Sequence, residues 1–213
     1  MSFPIDAFVD SLAEFEGKDL FNPWRDTTET DISAQMPQIR QNLLKQHLSC
    51  ATPRLIIVND ALNYYGSRQT GVPLTSEYLV LNHRIPRLSC DQRMTNTPNM
   101  FNDPSAGFFW QLLHRHSLAE RTLCWDLLPF QPYRPSTGLN RTPKPDELDV
   151  GMAWIDELLR AFAGTPVLAV GARVRDELKK LGVHDAINTP HPSRGGVPKT
   201  KAAIEKIAGM AAA

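Results

Sequence analysis

Three polar stretches carry residues able to do acid–base chemistry, and each follows an apolar run. Arg54-Leu-Ile-Ile-Val58 is followed by Asn59 and Asp60, Thr122-Leu-Cys-Trp125 runs into Asp126, and Ala186-Ile-Asn188 leads to Pro190-His-Pro-Ser-Arg-Gly-Gly196. A carboxylate can stabilise a cation or take a proton, and an imidazole changes charge near neutral pH. Asp60, straight after a buried strand, is placed for function, because burying an acid as filler is costly; the alternative is that it caps loop amides. Asp126, inside or just beyond an apolar strand, needs a pocket or a structural hydrogen bond to a neighbouring loop. His191 is held stiffly between two prolines, ahead of a flexible, donor-rich Ser193-Arg-Gly-Gly196.

The elements that position these residues follow from hydrophobic periodicity. Ile5, Phe8, Val9, Leu12 and Phe15 have helical spacing, as do Met36, Ile39, Leu43, Leu44 and Leu48 within a second helix over Ile32–Leu48. Arg54–Val58 reads as a buried strand, and Asn59–Ser76, with Gly66, Gly71 and Pro73, as the loop after it. Ser105–His116 is expected to be helical, Thr122–Leu128 a strand ended by Pro129, and Pro145–Phe162 a helix with acids early and Arg160 late. Val167–Val170 and Ala186–Asn188 complete the strands; Ala172–Leu181 and Lys199–Ala208 complete the helices. Such alternation predicts an α/β fold around a parallel sheet covered on both faces. Ligands in such sheets sit at the carboxyl ends of the strands, where the three polar stretches begin. The expected organisation is one domain over 1–213, with an N-terminal helical part, 1–50, and an α/β core, 51–208.

Composition narrows the class. The 213 residues are 42% apolar and 22% charged, with 23 basic and 23 acidic side chains, which excludes a chain-wide polycation coating nucleic acid. No apolar run reaches the ~18 residues of a membrane span. Asp6, Asp10, Glu14 and Glu16 without a basic n-region argue against a secretory signal. Cys50, Cys90 and Cys124 lie far apart, which argues against a disulfide framework, a cysteine zinc site or an iron–sulfur cluster and for a cytoplasmic location. Val170-Gly-Ala172 reads as ordinary packing, so no nucleotide cofactor is expected. His114 and His116 read as surface residues or contacts to a phosphate backbone rather than metal ligands, and the four tryptophans as core. From Gly171 onward Arg173, Arg175, Lys179, Lys180, Arg194, Lys199, Lys201 and Lys206 outnumber Asp176, Glu177, Asp185 and Glu205, placing positive charge near the His191 loop. The oligomeric state is not readable.

Taken in order, these segments resemble the uracil-DNA glycosylase superfamily. One bacterial branch has a first motif Gly-Glu-Ala-Pro-Gly-Tyr-Arg-Gly followed by Thr-Gly-Ile-Pro-Phe-Thr-Ser-Glu; Asn59–Gly66 and Thr70–Glu77 match it without a gap. Ser105-Ala-Gly-Phe-Phe-Trp110, Trp125–Tyr133, Asn140-Arg-Thr-Pro-Lys-Pro145, Ala169-Val-Gly171 and His191–Gly196 follow in order, so the resemblance spans roughly residues 54–208. It implies a divergent bacterial member without an iron–sulfur cluster. It also implies a three-layer α/β/α fold with a central four-stranded parallel sheet, and DNA as partner. The implied reaction is hydrolysis of the base–sugar bond of a flipped-out nucleotide, through an oxocarbenium-like sugar cation. Asp60 stands where the family has its catalytic Glu, and His191 would stabilise charge on the leaving base's O2. Asn59, Ala61, Asn63, Tyr65, Leu74 and Asp126 fall at base-binding positions. Ser193, Arg194, Gly195 and Gly196, on the loop expected to enter the DNA groove, and Lys199 just after it fall at DNA-binding positions.

Three departures suggest a changed base. Asp126 stands where the family reads uracil with Asn; an ionised Asp only accepts hydrogen bonds and so favours an exocyclic amine, as on cytosine. Leu74 replaces the family's stacking Phe, and Leu62 and Asn63 replace a Pro and a Gly near the gate against 5-substituted pyrimidines. Tyr64 and Tyr65 either stack on the base or support the loop. A 5-modified cytosine, as in some phage genomes, is therefore the expected target, since removing plain cytosine would destroy the host genome; anti-phage defence would be the role. The alternatives are repair of uracil or another deaminated base, and a non-catalytic DNA-binding relative.

Overall fold

The computed structural model describes residues 3–212, with side chains as far as Met210. In chain order the elements are α1 (Ile5–Glu14), β1 (Leu20–Phe21), α2 (Met36–Leu48), β2 (Leu55–Ala61), α3 (Ser67–Thr70), α4 (Glu77–Leu81), α5 (Pro104–Arg115), β3 (Thr122–Leu128), β4 (Gln131–Pro132), α6 (Pro145–Ala161), β5 (Val167–Val170), α7 (Ala172–Lys180), β6 (Ile187–Thr189) and α8 (Val197–Ala212). Short 3-10 turns cover Ala119–Arg121 and Pro192–Arg194.

The apolar runs build the sheet. Leu55–Val58, all of β3 and all of β5 are buried. The strands pair in the order β3-β2-β5-β6, every pair parallel. Helices flank this sheet: α6 packs on β3, α7 on β5 and β2, and α8 on β6. Gly151 lets α6 come close, because a Cβ there would lie 1.8 Å from the Leu127 carbonyl oxygen. A continuous hydrophobic core joins these layers to α1 and α2. Trp24, Trp110 and Trp125 are buried in it, while Trp154 is half-buried and donates to Ser11 Oγ at 2.9 Å. His47 is also buried, its Nε2 accepting the Cys124 amide at 2.9 Å; burial and the Arg87 charge push its pKa down to about 3.

The N-terminal part braces the segment after β2. Trp24 Nε1 donates to the Gly71 carbonyl (3.1 Å), and buried Arg40 donates from Nε to the Gln69 carbonyl (3.2 Å) while pairing with Asp31. Removing one partner of a buried pair is costly, so Arg40 ties α2 firmly to that loop.

Four expectations need correction. The second helix begins at Met36 rather than Ile32: Asp31 is bridged to Thr95, and exposed Ile32 lies outside the helix. Strand β2 runs on through Ala61, so Asn59 and Asp60 are strand residues, held by pairing of Asn59 with Asp126 and Ala61 with Leu128. The stretch after β2 contains α3 and α4 and is not a plain loop. The N-terminal part is not all helical: β1 pairs antiparallel with β4, a two-residue ladder too short for a period to register. Among the described residues no helix is long and apolar enough to cross a membrane.

Candidate active site

A cleft of about 670 Å³ opens at the carboxyl ends of the central strands. Asn59, Asp60, Ala61, Asn63, Leu74, Asp126, His191, Ser193 and Arg194 all line it. Residues separated by more than a hundred positions in sequence thus meet because β2, β3 and β6 end on one edge. Tyr65, Gly195, Gly196 and Lys199 do not line the cleft. Tyr65 is 56% exposed, its ring edge-on to Tyr64, which in turn meets Phe101. Gly196 acts through backbone: a Cβ there would fall 2.0 Å from the Pro190 carbonyl oxygen, so only glycine lets the chain turn beneath His191.

Asp60 is the penultimate residue of β2 and half-buried. Its Oδ1 is buried without a hydrogen-bond partner, and its Oδ2 lies 3.5 Å from Arg173 Nη1. Burial pushes its carboxyl up; Arg173 and Arg194 pull it down, and Glu177 pushes it up again. Asp126 pairs across the ladder with Asn59, the residue before Asp60, and is 1% exposed with Oδ2 unpartnered. Burial, then the charges of Asp60 and Asp103, push its carboxyl well above the carboxylate range, while Asn59 acts weakly the other way. That direction favours the protonated acid, a form able to donate as well as accept.

His191 presents a defined tautomer. Its Nδ1 accepts the Ser193 amide at 3.3 Å and lies 2.7 Å from Ser193 Oγ, which leaves the proton on Nε2. Burial lowers its pKa, with Asp103 opposing and Arg194 reinforcing, so a neutral ring with an Nε2–H donor is favoured. Leu74 sits in left-handed backbone (φ 56), pinned where its carbonyl accepts from Trp110 Nε1 at 2.9 Å. A non-glycine residue there is strained, and strain of this kind gathers at functional sites.

The cleft also holds residues that the sequence did not single out. Asp103 caps α5, its Oδ1 accepting the Ser105 and Ala106 amides at 2.8 and 3.2 Å, and its Oδ2 takes the Asn63 side-chain amide at 3.0 Å. The Asp103-Pro104 pair is a readable helix start; nothing in the sequence shows that its second oxygen reaches Asn63. Glu77 supports the segment leading to Asp103. One oxygen accepts Arg93 Nε and the Met94 and Thr95 amides, the other the Thr95 hydroxyl and the Phe101 amide. Burial would raise that carboxyl, but these donors hold it below its ordinary range. Arg134, Arg141 and Arg173 line the cleft as well, Arg141 being clamped by both Glu147 oxygens at 2.6 Å.

The family model of the uracil DNA glycosylase superfamily matches residues 86–207, more than half of the chain. With the parallel sheet and its cleft, that match defines the class: a DNA N-glycosylase. The chain belongs to the uracil DNA glycosylase superfamily. The match takes in Asp126 and the His191 loop; the first motif, Asn59–Glu77, precedes it. Among solved structures the fold is similar to the crystal structure of wild-type SMUG2 from Pedobacter heparinus, with a TM-score of 0.66 at 15% identity over 100% of this chain and 98% of that one. No curated protein matches in sequence.

Proposed function

We propose that the enzyme hydrolyses the N-glycosidic bond of a flipped-out, 5-modified cytosine in DNA and leaves an abasic site. The observation that carries this reading is Asp126: a buried acid with an unpartnered oxygen in the cleft, where the family resemblance puts the residue that reads the base. Its O–H can donate to cytosine N3 while its carbonyl oxygen accepts from the N4 amine. Transfer of that proton to N3 lets a poor leaving group depart neutral. Asp60 faces the sugar, stabilises the oxocarbenium-like cation and orients the attacking water. His191 donates Nε2–H to O2 as the electron pair of the breaking bond moves into the ring. Leu74, in place of an aromatic platform, and Asn63, held aside by Asp103, leave room for a 5-substituent such as a glucosylated hydroxymethyl group. Removal of such a base from invading phage DNA is the role this specificity would serve.

A second reading draws on the same side chain. A protonated Asp126 can turn its donor to O4 and accept from N3–H, which would suit uracil or another deaminated base in repair.

Oligonucleotides carrying uracil, 5-hydroxymethylcytosine or glucosylated 5-hydroxymethylcytosine separate the two. Abasic-site formation is expected on the modified cytosines, and release of uracil alone overturns the proposal. Asp60→Asn should abolish base release while DNA binding persists; release by that variant would remove Asp60 from the reacting role.

A further inference from the structure

Arg173 is the second residue of α7, which starts at the carboxyl end of β5 and packs on β2. Its guanidinium lies 3.5 Å from Asp60 Oδ2, and both side chains line the cleft with moderate exposure, 43% for Arg173 and 39% for Asp60. Exposed ion pairs contribute little to stability, so holding the fold together does not explain this one. The contact is also too long for a good N–H···O bond, and among the described residues Arg173 makes no other side-chain hydrogen bond. Most of its fork of donors therefore stays free. Arg194, exposed and lining the same cleft, brings a second cation to the one carboxylate. The mouth beside Asp60 thus has more positive charge than Asp60 needs.

We infer that Arg173 is a positioning residue with two anions to hold: the Asp60 carboxylate in the free enzyme, and, from the same guanidinium, a backbone phosphate next to the extruded nucleotide. A planar fork can serve both at once, whereas an ammonium acts as a point charge. The charge of Arg173 opposes the upward push of burial on Asp60 and keeps the carboxyl aimed, and the phosphate contact brings the sugar's anomeric carbon to it. The groups facing Asp60 are Arg173 and Glu177 from α7, Arg194 from the turn after β6, and Asp126 from β3. Glu177 lies 2.7 Å from Lys180, which offsets part of its charge.

This inference rests on Asp60 as the reacting carboxylate, and two measurements test it without any turnover. The first is a carboxyl carbon-13 NMR titration of the full chain, with Asp60→Asn assigning the signal. Arg173→Gln should move the Asp60 midpoint upward, and Arg173→Lys should largely restore it. The second is binding to an oligonucleotide bearing a tetrahydrofuran abasic analogue, measured across salt concentrations. Arg173→Gln should reduce the slope of log Kd against log salt by about one, the loss of one phosphate contact. An unmoved midpoint or an unchanged slope overturns the inference. Base release by Asp60→Asn would instead count against the reading on which it rests.

Discussion

At the scale of the residue, Asp126 holds a carboxyl inside the sheet with acids as its charged neighbours and burial as the main force on it. The unfolded chain gives up that proton near pH ~4, and the upward push in the folded chain delays its loss there. The native state then binds more protons than the unfolded state, so this group costs stability as pH rises through that window, until the native carboxyl itself ionises. Asp126→Asn keeps the shape without the titration. We expect it to raise Tm, more at pH 8 than at pH 5, and to move base preference toward uracil. Equal gains at both pH values in a calorimeter would contradict the first expectation. The position of Asp126 was legible, because an acid within an apolar run stands out. The upward push on its carboxyl was not, since it depends first on burial and then on Asp60 and Asp103 arriving from two other segments. Arg173 could be counted as charge along the chain, but only the register of β5 beside β2 brings it to Asp60.

At the scale of the element, the strands and long helices were legible because each buries a periodic face. The expected ranges for β3 and β5 coincide with those observed. Two things were hidden. The last residues of β2 are polar, so their composition reads as loop, yet the ladder to β3 keeps them extended. The β1–β4 pair is two residues long and is fixed by its surroundings rather than its own pattern. The turn after β6 shows how local geometry serves the site. Gly196→Ala would drive a Cβ into the Pro190 carbonyl, and overpacking of this kind costs roughly 1–3 kcal/mol. Because the carbonyl belongs to the turn carrying His191, we expect kcat to fall further than stability alone explains. Urea unfolding alongside single-turnover base release would separate the two effects.

At the scale of the whole molecule, a net charge of zero conceals a polarised surface. Arg134, Arg141, Arg173 and Arg194 gather around one opening, and all but Arg141 are exposed. DNA affinity should therefore fall with salt, with a log–log slope of about −2 to −3 if around three of them meet phosphate. A flat dependence would place the DNA elsewhere. The pairing of Asn59 with Asp126 has a consequence of its own. Main-chain hydrogen bonding fixes the spacing of that rung whatever side chains it bears. One amide and one acid are mounted there like two interchangeable teeth of a key, so, on the proposed reading of the base, exchanging either would recut the lock for a different nucleobase while the framework behind it stays untouched.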